Sequence, residues 1–187
     1  MKAKTQIYGR IEVICGGMFS GKTEELIRRL RRAEIARLAI AIFKPQLDTR
    51  FKKKQIISHN KTAMNSTLVN ECEAILNEAE KYDVIGIDEA QFFDNRLVKV
   101  CQKLANMNKR VIVAGLDKDF KGSPFGPMPY LMAEADYLDK LRAICTLCGR
   151  SASNSQRMTE DIEKVVIGEL DIYEARCRSC FNKPPNI

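Results

Sequence analysis

Cys15-Gly16-Gly17-Met18-Phe19-Ser20-Gly21-Lys22-Thr23 is the stretch whose reading decides the rest. From Gly16 it spells G-x-x-x-x-G-K-T, a phosphate-binding P-loop pattern. Residues 11–15 before it, apolar but for Glu12, predict a short buried strand, and residues 24–30 after it carry a helical pattern. Strand, glycine loop and helix form the context the motif requires. The glycines let the backbone turn its N–H groups inward around an oxygen cluster, and the helix start adds a positive dipole end. Residues Gly16, Gly17, Met18, Phe19, Ser20 and Gly21 would line that cradle, Lys22 would reach the β- and γ-phosphates, and the Thr23 hydroxyl would ligate Mg²⁺.

The chain has 187 residues, 45% of them hydrophobic, which is enough for one good core or a domain with a small appendage. Its longest apolar runs, such as residues 38–43, are too short to cross a bilayer. The first six residues contain no apolar signal region, so a soluble cytosolic protein without a membrane partner is expected. The net charge of +7 suits either a nucleic-acid surface or a protein that handles polyphosphate. Arg28, Arg29, Arg31, Arg32 and Arg37 crowd the first helix opposite its apolar stripe of Leu26, Ile27, Leu30 and Ala33. We read them as a solvated face rather than a nucleic-acid footprint.

Residues 38–44 predict a second buried strand, stopped by Pro45. Residues 46–66 hold no period and read as a mobile excursion, with the single histidine, His59, given no role. A helix is expected over 70–81, a strand over 82–87, a helix over 96–108 and a strand over 110–116. A glycine- and proline-rich loop follows at 120–129, then a short helix over 132–136 and a last strand over 138–144. Strands alternating with helices imply an α/β fold with a parallel sheet covered on both faces.

Asp88 ends an apolar strand, the position of a Walker B acid, and would hold Mg²⁺, directly or through water, beside Thr23. Glu89 follows it, and a carboxylate there can take a proton from an incoming nucleophile. Water as nucleophile makes an ATPase and a substrate hydroxyl makes a kinase; the Asp-Glu pair alone leaves both open. Of seven cysteines, Cys15, Cys72 and Cys101 sit singly in apolar or helical contexts and read as buried hydrophobes. The other four form two C-x-x-C pairs, Cys145/Cys148 and Cys177/Cys180, suited to a closed structural Zn²⁺ site whose excess charge Arg142, Arg150, Arg176 and Arg178 would offset. The metal would pin together the ends of residues 149–176. That segment holds Val165-Val166-Ile167-Gly168 and Tyr173, which fit either a backbone grip on a planar ligand or a plain hairpin.

These motifs together resemble the type II thymidine kinases, the family of cellular and poxviral enzymes. The resemblance rests on Gly17 to Thr23, Asp48-Thr49-Arg50, Gly86-Ile87-Asp88-Glu89-Ala90-Gln91-Phe92-Phe93, Gly115-Leu116-Asp117 with Phe120 and Phe125-Gly126, the four cysteines, and Val166-Ile167-Gly168 with Tyr173. It implies ATP-dependent phosphorylation of thymidine, and of deoxyuridine, at the 5′-hydroxyl, in nucleotide salvage. By that resemblance Glu89 is the general base. Asp48, Thr49, Arg50 and Gln91 match positions at the nucleotide site, while Met18, Leu116, Phe120, Phe125, Val165, Val166, Ile167, Gly168 and Tyr173 match or line the nucleoside pocket. The implied architecture is a P-loop (RecA-like) domain over residues 1–140 and a zinc-binding lasso domain over 141–187. A homotetramer inhibited by thymidine triphosphate, with ATP, Mg²⁺ and structural Zn²⁺ as its cofactors, is expected. Two stretches differ from the family pattern: Ser58-His59-Asn60, where Ser/Thr-His-Asp is frequent, and Asn154-Ser155-Gln156-Arg157, where Tyr-Thr precedes a basic residue near the pyrimidine's 5-substituent.

Two other classes compete. A nucleic-acid-stimulated ATPase would use residues 88–91 as an acid box and the cysteines as a zinc ribbon, although such motors usually need a second domain. A zinc-ribbon binding module with a vestigial glycine loop would have no use for Glu89.

Overall fold

The computed structural model describes residues 8–46, 55–57, 63–158, 172–181 and 183. In chain order the elements are β1 (Arg10–Gly16), α1 (Lys22–Ile35), β2 (Ile40–Pro45), β3 (Gln55–Ile57), β4 (Ala63–Asn65), β5 (Thr67–Val69), α2 (Ala74–Glu78), β6 (Val84–Ile87), α3 (Arg96–Asn106), β7 (Arg110–Leu116), α4 (Met128–Glu134), β8 (Tyr137–Lys140), β9 (Ala143–Ile144), β10 (Ser151–Ala152), β11 (Asn154–Arg157) and β12 (Tyr173–Arg176).

The central sheet has six strands in the order β5-β2-β6-β7-β1-β8, and every pair in it is parallel. β6 is apolar throughout, and β7 is apolar after Arg110, because the sheet is covered on both faces. One face packs against α1 and the β3–β4 hairpin: Leu26, Ile27, Leu30 and Ala33 meet Ile14, Ile42, Ile56 and Ile112. Fully burying each of α1's three large aliphatics contributes about 1.5–3 kcal/mol. The other face packs against α2, α3 and α4 through Ile75, Leu97, Val100, Leu104, Met128 and Leu131. Parallel strands all end at one rim, so the loops after β1, β2, β6 and β7 gather there.

Several expectations change. The excursion over 46–66 contains a hairpin, with Gln55–Ile57 antiparallel to Ala63–Asn65 and Ile56 buried against α1's core. Thr67–Val69 then joins β2 at the sheet edge. Three-residue strands are too short to show a period. The helix expected over 132–136 starts at Met128, because Pro129 in its first turn suits a helix start rather than a loop. The strand expected over 138–144 breaks after Lys140, where the Leu141 amide donates to the Cys15 carbonyl at 2.8 Å and the chain leaves the sheet.

The arginine face of α1 also needs correction at one position. Arg29 is not solvated: it is held by Glu12 at 2.9 Å, by Glu25 at 2.8 Å and by Asp139. Glu12, facing α1 from β1, collects Arg10 at 2.8 Å and Arg110 at 2.6 Å as well. A purely local reading of α1 cannot see the acid that β1 places under it.

Candidate active site

β1 delivers the glycine loop to the rim. Gly16 takes φ 144, and a Cβ there would lie 2.4 Å from the Leu141 carbonyl oxygen, so the tight exit demands glycine. Gly21 (φ 84) and Phe19 (φ 62) both lie in the left-handed region, which turns the loop sharply before α1 begins at Lys22. Lys22 Nζ donates across the loop to the Gly17 carbonyl at 2.6 Å, and Ser20 Oγ donates to the same oxygen at 2.8 Å. Burial pushes the Lys22 ammonium pKa down, while the charges of Glu89, Asp88 and Asp117 oppose that shift. A desolvated lysine facing acids at the mouth of a glycine loop is suited to an anion with its own counter-cation.

β6 delivers Asp88. Its Oδ2 accepts from Thr23 Oγ1 at 3.4 Å and its Oδ1 from the Glu89 amide at 3.0 Å. Burial, and then the neighbouring Glu89 charge, push the Asp88 carboxyl up to about 7. A carboxylate so poorly compensated, beside a threonine hydroxyl, fits a divalent cation. Glu89 itself is exposed and left-handed at φ 54, an unusual conformation for a non-glycine residue and one that clusters at functional sites. Gln91, in the short 3-10 turn that follows, donates from Nε2 to Glu89 Oε2 at 2.6 Å and accepts the Leu116 amide on Oε1 at 2.9 Å. Asp117, just past β7, is buried and ion-paired to Lys140 at 2.7 Å.

The cysteine unit sits on this rim. Met18 donates its amide to Ser155 Oγ at 2.9 Å, and Phe19 packs against the apolar cluster formed by Ala143, Cys145, Ala152, Ala175, Cys177 and Cys180. Lys118 donates to Asn154 Oδ1. Arg157 of β11 lies 3.7 Å over the Phe120 ring and donates to the Tyr173 hydroxyl at 2.7 Å. Phe125 meets Phe92 edge-on with ring centroids 5.5 Å apart. Met18, Leu116, Phe120, Phe125 and Tyr173 are thus all held by bonds or ring contacts around the rim. Asp48, Thr49, Arg50, Val165, Val166, Ile167 and Gly168, like His59, lie outside the described residues.

The four paired cysteines place their Sγ atoms within 4.8 Å of one another, with Cys148 and Cys177 3.6 Å apart. Tetrahedral thiolates at about 2.3 Å from one zinc would stand about 3.8 Å apart, so the donor set fits that ion. Burial opposes ionisation of Cys145, but the backbone amides of Cys177, Cys148 and Leu147 bring it down to about 6, favouring the thiolate a metal needs. Of the arginines expected to balance this site, one is engaged by a carboxylate of its own strand. Arg176, fully buried, pairs with Glu174 at 2.6 Å and donates to the Cys180 carbonyl at 3.4 Å, while Arg142, Arg150 and Arg178 are exposed.

Sequence reasoning missed the roles of Ser155, Arg157 and Glu12. Ser155 and Arg157 drew notice only as part of the 154–157 stretch that differs from the family pattern, and the contacts of Ser155 with Met18, of Arg157 with Phe120 and of Glu12 with Arg29 and Arg110 join residues distant in the chain.

Fold and rim define the class: a parallel α/β protein with an anion-suited glycine loop, adjacent carboxylates and a cysteine cluster able to hold a metal. The family described as thymidine kinase matches residues 9–181. The chain is 58% identical over 176 residues to a thymidine kinase of Rhodothermus sp., covering 94% of this chain and 83% of that one. It is 52% identical to a Bacteroides fragilis thymidine kinase, covering 96% and 90%, and 54% identical to one from Porphyromonas gingivalis, covering 94% and 86%. The chain belongs to the thymidine kinase family. Its fold is also similar to flagellar accessory protein FlaH from Methanocaldococcus jannaschii, with a TM-score of 0.52 at 16% identity, covering 78% of this chain and 76% of that one; this likeness concerns fold alone.

Proposed function

We propose that this protein transfers the γ-phosphoryl group of ATP to the 5′-hydroxyl of thymidine, giving ADP and the nucleoside monophosphate. Deoxyuridine is accepted as well, and the reaction serves nucleotide salvage for DNA synthesis in the cytoplasm. The observation that carries the reading is one convergence in a chain of this family: the Lys22 loop, the Thr23–Asp88 contact at 3.4 Å and Glu89 meet at a single rim.

Residues 16–22 act as a P-loop on a RecA-like sheet and bind the triphosphate through backbone amides and the Lys22 ammonium. Thr23 and Asp88 are the side chains that would hold Mg²⁺, which neutralises charge on the transferring phosphoryl group. Asp48, Thr49 and Arg50 complete the nucleotide site. Glu89 takes the proton that the 5′-hydroxyl loses as its oxygen bonds to phosphorus and the bond to ADP breaks. Met18, Leu116, Phe120, Phe125, Tyr173 and residues 165–168 enclose the pyrimidine nucleoside. Excluding water there protects ATP from hydrolysis. The chain divides near residue 140, with Cys145, Cys148, Cys177 and Cys180 holding a structural Zn²⁺ that keeps the 141–187 unit on the rim. No helix among the described residues is long and apolar enough to cross a membrane. The working form is a homotetramer inhibited by thymidine triphosphate, and it needs neither nucleic acid nor membrane.

The test is ATP consumption by purified protein with thymidine, then with single-stranded DNA, alongside metal analysis. Nucleoside-dependent ADP formation with one zinc per chain is expected. Stimulation by DNA but not by thymidine would overturn the reading.

A further inference from the structure

We propose that Gln91 is a positioning residue: it aims the Glu89 carboxylate and ties it to the pocket wall at Leu116. The inference rests on Glu89 being the base.

Gln91 is only 2% exposed, and both ends of its amide are engaged. Nε2 donates to Glu89 Oε2 at 2.6 Å while Oε1 accepts from the Leu116 amide at 2.9 Å. The two partners fix the amide's orientation, because a carboxylate can only accept and a backbone N–H can only donate. The slot around it is built to fit. A Cβ on Gly115 would lie 2.9 Å from Gln91 Oε1 and 2.6 Å from Met128 Sδ. One on Gly126 would lie 2.2 Å from the Gln91 carbonyl oxygen. Two glycines therefore leave room for a glutamine held on several sides.

Glu89 needs such a hold. It is an exposed side chain on a left-handed backbone, free to sweep several rotamers unless something stops it. With Oε2 engaged by Gln91, Oε1 is the oxygen left to receive the hydroxyl proton. Because the other end of the same amide is bonded to Leu116, the distance from base to nucleoside wall is set by one planar group. Misplacing a reacting group by about 1 Å costs roughly 10²-fold in rate. Gln91 does this without touching the reacting atoms, which distinguishes it from a nucleotide ligand.

The experiment uses the full chain with ATP, Mg²⁺ and thymidine. Gln91→Leu removes both hydrogen bonds at similar volume, and Gln91→Glu keeps an acceptor for Leu116 but sets a like charge against Glu89. Both are expected to lower kcat roughly 10- to 100-fold while the KM values for ATP and thymidine stay within about 3-fold. In a Glu89→Gln background, Gln91→Leu should cost less than about 3-fold more, because the two residues act as one unit. A rise of more than about 10-fold in KM for ATP at unchanged kcat would make Gln91 a nucleotide ligand and overturn the proposal. An undiminished loss in the Glu89→Gln background would overturn it too. If Gln91→Leu does not fold, the same kcat-only loss in Gln91→Glu decides for the proposal and its absence against. Near-full turnover of Glu89→Gln alone would instead remove Glu89 as base, a separate failure visible without any change at Gln91.

Discussion

Glu12 and Asp88 are carboxylates of the same sheet, 5% and 6% exposed, yet their surroundings drive them in opposite directions. Burial pushes Glu12 up, but hydrogen bonds from Arg110 and Arg10 outweigh it and hold the group down at about 2. Asp88 has burial and the adjacent Glu89 charge both raising it, and it stands at about 7. One acid is fully answered by protein cations and belongs to the fold. The other is left short of positive charge at the rim, beside a threonine hydroxyl, and that shortage is what a bound cation would relieve. A buried charge left uncompensated at a rim is a candidate functional group, whereas Glu12 is accounted for by its arginines.

The comparison can be broken most sharply at Glu12. Glu12→Gln leaves three guanidinium groups around a neutral amide and should lower stability by about 3–5 kcal/mol, read by urea unfolding, with the KM values of the folded enzyme unchanged. The pH dependence has a definite sign. A carboxyl held near 2 against its usual 4.5 contributes stability that is fully present above about pH 4.5 and lost as pH falls toward 2, about 3 kcal/mol in all. The gap between wild type and Glu12→Gln should therefore narrow from pH 6 to pH 3; an equal gap at both would contradict the pairing.

Asp88→Asn should behave in the opposite way, lowering turnover roughly 10²-fold without destabilising the protein. Raised from 3.8 to about 7, Asp88 penalises the fold increasingly as pH climbs between those values. Mg²⁺ should accordingly raise the wild-type Tm by about 2–4 °C at pH 8, and that of Asp88→Asn not at all. An equal rise in both would place the ion elsewhere. The smallest effect is expected at Ser155→Ala, which strands the Met18 amide at the loop. A loss of about 1 kcal/mol, read as a roughly 5-fold higher KM for ATP, would measure how far the cysteine unit steadies the rim.

How much of this was legible depended on the length of the pattern. β1, α1, β6, α3 and β7 carry mainly apolar runs or helical stripes, and the observed elements fall close to the expected ones. The β3–β4 hairpin and β5 were invisible because three residues cannot establish an alternation, and β5 pairs with β2, which is distant in the chain. The two C-x-x-C pairs announced a metal-competent cluster, and the four sulfurs do converge. The arginines near them suggested charge balance; Arg176 pairs with Glu174, a partner two residues away that alternation along a strand places on the same face, and also donates to the Cys180 carbonyl.

Local order alone determined the glycine loop, the buried strands that end in Asp88 and Leu116, and the paired thiols, because each is a run of residues whose backbone or burial preferences act over a few positions. Only the tertiary structure decided that Ser155 meets Met18, that Arg157 lies on Phe120, that three arginines close on Glu12 and that one glutamine joins Glu89 to Leu116. Apart from the Arg10–Glu12 and Glu89–Gln91 contacts, which are two residues apart, those contacts join elements distant in the chain, and hydrogen bonds reach only about 3 Å, so the chain's linear order does not record them.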